Sequence, residues 1–153
     1  MAHYHFDTSA FTKYYHPEIG SERVSAIVQD TTSINQISNL AILETQSAFA
    51  MKVRTGVLDR ADAAVAMDKV FRDLAGRVFF AVRLDASHLE DACGLVAKYG
   101  YERRLRTLDA LQLAVALALR RRNLLDIFVA ADKLLVEVAG LEGLAVLNPE
   151  ETP

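Results

Sequence analysis

Strict alternation of apolar and polar positions opens the chain and then gives way to longer periods. In "HYHF", residues 3–6, His3 and His5 share one face and Tyr4 and Phe6 the other, which predicts a short strand. "DTSAFTKYY" then reads as a helix capped by Asp7 and closed by His16-Pro17. "GSERVSAIVQD" reads as a second helix from about Ser21, and "TSINQIS" as a strand mixing β-branched and polar residues. "NLAILETQSAFAMKVRTG" has helical spacing and ends at Gly56, where a left-handed cap is expected. "DRADAAVAMDKVFRDLAG" is a further helix, capped by Asp59 and stopped by Gly76. "RVFFAVRL" predicts a strand, and "DASHLEDACGLVAKYG" a helix with Asp85 as its cap. "TLDALQLAVALALRRR" is apolar almost all the way round, so it belongs in the middle of the fold, with Thr107 as cap. "DIFVAAD" predicts a buried strand, "KLLVEVAG" a helix ending at Gly140, and "LAVLNP" a last strand stopped by Pro149.

Strands separated by helices predict a small, mostly parallel sheet with helices on both faces, a three-layer α/β/α sandwich. No repeat, low-complexity segment or linker divides the chain, so residues 1–153 read as a single domain. Hydrophobic residues make up 52% of it, enough for a substantial core. There are 17 Lys+Arg against 20 Asp+Glu, a net charge of −3, which argues against nucleic-acid binding through bulk positive charge but leaves room for a local basic patch. Cys93 stands alone, which excludes an internal disulfide and a cysteine-based zinc site and fits a reducing cytoplasm. "MAHYHFD" carries no secretory pattern, and the longest apolar run, "ALQLAVALAL", is shorter than the roughly 20 residues that span a bilayer. A cytoplasmic protein without a membrane partner is expected.

The acids change the picture. In a parallel sheet the carboxyl ends of the strands share one edge, and ligand sites form there. Asp7 ends the first strand, Glu44 lies about two turns into the helix after the second, and Asp132 ends "IFVAAD". Asp109 follows a helix and a loop, so strand topology alone does not bring it to that edge. Asp7, Asp109 and Asp132 are also explained as helix-start carboxylates, each worth about 0.3–1 kcal/mol to the dipole. Glu44 is harder to explain that way, because "LAILETQSAFA" is largely apolar and should be packed. Two carboxylates about 5 Å apart repel by roughly 3 kcal/mol at an effective dielectric of 20. A meeting of all four therefore requires protons or divalent cations, and hard oxygen donors favour Mg²⁺ or Mn²⁺ over zinc.

"YHFDTSAFTKYYHPEIGSE", "ISNLAILE", "RTLDALQLAVAL" and "FVAADKLLVEVAGLEGLAVLNPE" together resemble the PIN-domain ribonucleases, and most of all the VapC-type toxins of toxin–antitoxin pairs. The resemblance implies metal-dependent cleavage of RNA in an acidic pocket that binds Mg²⁺ or Mn²⁺. It makes Asp7, Glu44, Asp109 and Asp132 the catalytic and metal-binding acids and brings Asp109 into the pocket. Ser9 resembles the family's small hydroxyl near the metal, with Thr8 and Ser38 as further polar support. Ala130 and Ala131 depart from the Ser or Thr that many relatives carry before the fourth acid. The resemblance also implies an antitoxin partner and a homodimer. "GSERVSAIV" and "LAILETQSAFAMKV" are the expected antitoxin groove, entered by an amphipathic helix.

An acidic pocket that takes RNA needs basic flanks. Lys13, Arg103, Arg104 and Arg106 are the candidates, with Arg120, Arg121 and Arg122 further off and better explained by a helix C-terminus. Tyr14 and Tyr15 read as half core and half surface, and His3, His5, His16 and His88 as structural. Two other classes remain. A phosphoacceptor receiver domain needs an acidic pair after the first strand, where Thr8 and Ser9 follow Asp7 instead. A PIN-like module that binds RNA or protein without cutting is kept open by Ala130-Ala131.

Overall fold

Strand β1 (His3–Phe6) is the middle of a five-stranded sheet in which every pairing is parallel. Its neighbours are β2 (Ile34–Ser38) and β4 (Ile127–Val129), with β3 (Phe80–Val82) and β5 (Val146–Leu147) at the edges. The order is β3-β2-β1-β4-β5 in this computed structural model, which describes residues 1–151. The last two positions of the expected 1–153 domain lie outside the described residues. The helices are α1 (Thr8–Phe11), α2 (Ser21–Gln29), α3 (Asn39–Arg54), α4 (Arg60–Ala75), α5 (Ala86–Arg103), α6 (Thr107–Arg121) and α7 (Lys133–Leu141).

Two apolar clusters lie on opposite faces of the sheet. Phe6 and Ile37 project into one, with Phe11, Phe49 and Phe79. Phe128 projects into the other, with Leu113, Leu135 and Val138. Successive residues of a strand face opposite sides, so β1 sends Phe6 to the first cluster while His5 stacks on Phe128, ring centroids 6.0 Å apart. The result is the expected α/β/α sandwich. Helix α6 is indeed central: eight of its residues are buried, from Asp109 to Leu119.

Several elements differ from the sequence pattern. "DTSAFTKYY" divides into α1 and a 3₁₀ turn at Thr12–Tyr14. "RVFFAVRL" keeps only three residues in the sheet, and Phe79 just before them lies in the core, edge-on to Phe6 and Phe11. Thr107 is the first helical residue of α6 and not its cap; Arg106 takes that position in extended conformation, with no side-chain capping bond. α7 continues past Gly140, and the left-handed residue is Gly143, φ 83°. Helix α3 is less packed than its composition suggests. It buries the i, i+4, i+8 stripe Ala41, Thr45 and Phe49, while Leu43 remains 68% exposed.

The C-terminal segment closes over α2. A side chain at Gly20, φ 88°, would meet the Pro149 carbonyl carbon at 3.0 Å, so only glycine admits this approach. Arg23 donates to the carbonyls of Asn148 and Glu151 nearby.

His5 is fully buried, and neither ring nitrogen has a hydrogen-bond partner among the described residues. Burial alone lowers its pKa from 6.5 to about 3. Its neutral form therefore supports the fold fully above pH 6.5, and that support is lost as pH falls toward 3. Between pH 7 and pH 5 the loss is about 2 kcal/mol. His5→Leu should abolish this increment, and urea unfolding midpoints of both proteins at the two pH values test it.

Candidate active site

The strand order reverses direction at β1. The chain moves from β1 outward through β2 to β3, then returns to lay β4 on the other side of β1. A crevice opens beyond the carboxyl ends of β1 and β4 at such a switch point. Asp7 follows β1 and Asp132 lies three residues beyond β4, so they flank it. Helix α3 starts directly after β2 and carries Glu44 into the same space. Asp109 arrives from the opposite direction. Helix α6 ends six residues before β4 begins, near the amino edge of the sheet, and its 15 residues extend about 22 Å back toward the carboxyl edge. Its first turn therefore lies beside the crevice. All four acids line one cavity of about 880 Å³, together with Thr8, Ser9, Arg54 and Arg106.

Each carboxylate is held differently. Asp7 Oδ2 accepts from the Ser9 backbone N–H at 2.9 Å and from Ser9 Oγ at 2.6 Å. The Ala131 N–H donates to that same Ser9 Oγ at 2.9 Å, tying the end of β1 to the end of β4. Glu44 Oε1 accepts from Thr8 Oγ1 at 2.8 Å and from Gln112 Nε2 at 2.6 Å. Arg106 Nε donates to Asp109 Oδ2 at 2.8 Å, and its Nη2 reaches Asp132 Oδ2 at 3.2 Å. The other oxygen of Asp132 caps α7 by accepting from the Leu135 N–H.

Burial raises the Asp7 pKa from 3.8 to about 6 against the pull of the Ser9 bonds, and the charges of Glu44 and Asp109 add to the rise. Burial also raises Asp109, with Arg106 opposing. No basic side chain bonds Asp7 or Glu44 among the described residues. In donor chemistry the four carboxylates suit Mg²⁺ or Mn²⁺. As placed, no three His, Cys, Asp or Glu side chains among the described residues stand close enough together to hold a metal ion.

Solved structures share this architecture. VapC20 of Mycobacterium tuberculosis, a sarcin–ricin loop cleaving toxin, matches with a TM-score of 0.67 at 18% identity, over 98% of this chain and 99% of its own. The fold is that of the VapC-type PIN-domain toxins. FitAcB from Neisseria gonorrhoeae matches at 0.63 and 18% identity, covering 97% of this chain and 99% of its own. VapBC2 from Rickettsia felis, solved bound to a DNA fragment from their promoter, matches at 0.63 and 15% identity, covering 95% and 98%. No protein-family model and no curated protein matches the sequence.

On this PIN fold the other expected site residues are scattered. Ser38 is fully buried and caps α3 by accepting from the Leu40 N–H, outside the cavity. Lys13 is a correction: only 5% of its side chain is exposed, and its ammonium is held by Glu150 at 2.6 Å and Glu18 at 3.2 Å. Arg103 pairs with Glu137, and Arg104 is exposed in left-handed conformation at the end of α5; neither lines the cavity. Arg106 alone of the four expected basic residues does. Sequence reasoning missed Gln112, a buried amide beneath Glu44, and Arg54, which with Lys52 lies in the last turn of α3. Gln112 carried a signal, being the one polar side chain inside "ALQLAVALAL".

Asp7 has a folded pKa above its unfolded one, so its contribution to stability is full below pH 3.8 and is lost as pH rises through 6. Asn in its place keeps a capping oxygen without the buried charge. Asp7→Asn should therefore be more stable than wild type by about 2–3 kcal/mol at pH 7.5 in EDTA, with the difference vanishing near pH 4. Guanidinium unfolding at both pH values measures this, and a less stable variant at pH 7.5 contradicts it.

Proposed function

We propose that the chain is a metal-dependent endoribonuclease and the toxin of a toxin–antitoxin pair. One observation carries the reading: four acids from distant parts of the sequence line a single cavity at the switch point of a fold shared with an RNA-cleaving toxin. Asp7, Glu44, Asp109 and Asp132 would hold Mg²⁺ or Mn²⁺. The bound ion would supply an activated water and charge neutralisation at the scissile phosphate. Ser9 orients Asp7 through two bonds, and Thr8 with Gln112 fixes Glu44, so two acids are preorganised by protein donors. Arg54 and Arg106 at the same cavity suit phosphate groups.

Leu40, Leu43, Met51 and Leu108 give the cavity an apolar rim around the acids. Such a rim suits unstacked bases. It also suits the apolar face of an antitoxin helix lying along α3, which makes the antitoxin a competitor for the mouth of the site. A homodimer and a cytoplasmic location complete the proposal. No helix among the described residues is long and apolar enough to cross a membrane.

A second reading has one observation in its favour. Ala131 stands before Asp132 and meets Ser9 only through its backbone, so no hydroxyl accompanies the fourth acid. A module that binds RNA without cutting it fits that feature.

Incubation of total cellular RNA with the purified protein separates the two. Cleavage should require Mn²⁺ or Mg²⁺, stop in EDTA, and fall at least about 100-fold in Asp7→Asn and in Asp109→Asn, the scale of losing a few kcal/mol of charge stabilisation. Binding without cleavage under Mn²⁺ selects the second reading. Cleavage unchanged in EDTA and in both variants ends the proposal. For RNA binding, Arg54→Ala should lower the salt slope by about 0.7, one single-strand phosphate contact, while Lys13→Met leaves the slope unchanged and costs about 1–2 kcal/mol of stability.

A further inference from the structure

Arg106 is the one residue that bonds two of the four acids among the described residues. Its guanidinium grips Asp109 with Nε at 2.8 Å and Nη2 at 3.4 Å, and extends Nη2 to Asp132 at 3.2 Å. The acids belong to different elements, the first turn of α6 and the cap of α7. The partners differ sharply in exposure: 12% for the Asp109 side chain against 70% for Arg106. Solvent competes for so exposed a cation, and such bridges exchange readily. Arg106 also sits outside the helix, with extended backbone at φ −81° and ψ 156°, so its side chain can leave without unwinding α6.

A guanidinium and a divalent cation compete for the same two carboxylates, because their like charges repel. An Arg fork released at the mouth of an acidic cavity is well shaped for two oxygens of a phosphate. We propose that Arg106 is a latch on this pocket: it brackets Asp109 and Asp132 as a stand-in cation until a divalent ion displaces it, and the freed guanidinium then grips the RNA phosphate. The latch rests on the reading of the pocket as the metal site of a ribonuclease. It makes Arg106 a competitor of the metal and an ally of the substrate at once.

The two roles have opposite signs, which makes them separable. Calorimetric titration of the full-length protein with Mn²⁺ reads the first. Arg106→Ala should bind Mn²⁺ about tenfold more tightly than wild type. Arg106→Lys should gain about fivefold, because an ammonium keeps the charge but cannot bracket two carboxylates. Fluorescence anisotropy with a mixed-sequence 2′-O-methyl RNA oligonucleotide in saturating Mn²⁺ reads the second, and Arg106→Ala should bind about five- to tenfold more weakly. Wild-type Mn²⁺ affinity in Arg106→Lys means that charge alone acts and overturns the latch. Weaker Mn²⁺ binding in either variant means that Arg106 organises the acids, and also overturns it. Unweakened oligonucleotide binding by Arg106→Ala removes the substrate role and with it the proposal. Asp7→Asn and Asp109→Asn are titrated alongside. Mn²⁺ bound equally by wild type and these two variants overturns the pocket reading itself, whereas Mn²⁺ lost in them with no response to Arg106 overturns the latch alone.

Discussion

Four carboxylates drawn toward one cavity at the edge of a parallel sheet repel one another, and the fold must answer that repulsion locally. The surroundings of the site follow from this constraint. Hydroxyls and an amide serve the acids at the end of β1 and on α3, where Ser9 holds Asp7 and Thr8 with Gln112 holds Glu44. A guanidinium serves the acids on α6 and α7. The two halves are not equivalent. Neutral donors orient a carboxylate without cancelling its charge, and burial pushes Asp7 up to about 6 against the pull of its Ser9 bonds. The unneutralised half is where an external cation has most to gain, and the neutralised half is where it meets a competitor.

The sheet explains how such a group of anions is tolerated by a chain of this size. Two separate apolar clusters, one on each face, anchor the strands and helices independently of the site. Phe6 and Phe128, on neighbouring strands, commit to opposite clusters, so the ends of β1 and β4 are held from both sides. The Ser9 to Ala131 bond then locks those ends together directly at the crevice. Rigid strand ends hold Asp7 against the charges of Glu44 and Asp109, and stability elsewhere offsets the cost. His5 is a second uncompensated polar group, buried in the middle strand and kept neutral by its surroundings.

Cap and site need not be rival explanations for these aspartates. Asp132 uses one oxygen to cap α7 and turns the other to Arg106. Asp7 caps α1 through one oxygen while lining the cavity. After β1 and β4 the chain turns into a helix at the crevice, so there the capping residue also faces it, whereas Ser38 after β2 caps α3 outside the cavity. A carboxylate has two oxygens and can serve both.

The order of elements, the caps at Asp59 and Asp85, the central position of α6 and the candidacy of Asp7, Glu44 and Asp132 were legible in the linear pattern, because periodicity and capping are local properties of a stretch. Through-space pairing is not local. Nothing around Lys13 announces that Glu150, 137 residues on, neutralises it. Nothing in "TLDALQLAV" announces that Gln112 lies beneath Glu44, 68 residues earlier. Strand-end topology left Asp109 out; the family resemblance supplied it, and the reversed run of α6 against the sheet gives the geometric reason. Arg106 was legible as a cation near the site, but its grip on two acids was settled by the packing of α6 beside α7. A sequence records which stretches bury themselves; what meets across the buried space depends on the angle and register of whole elements, and those exist only once the core has closed.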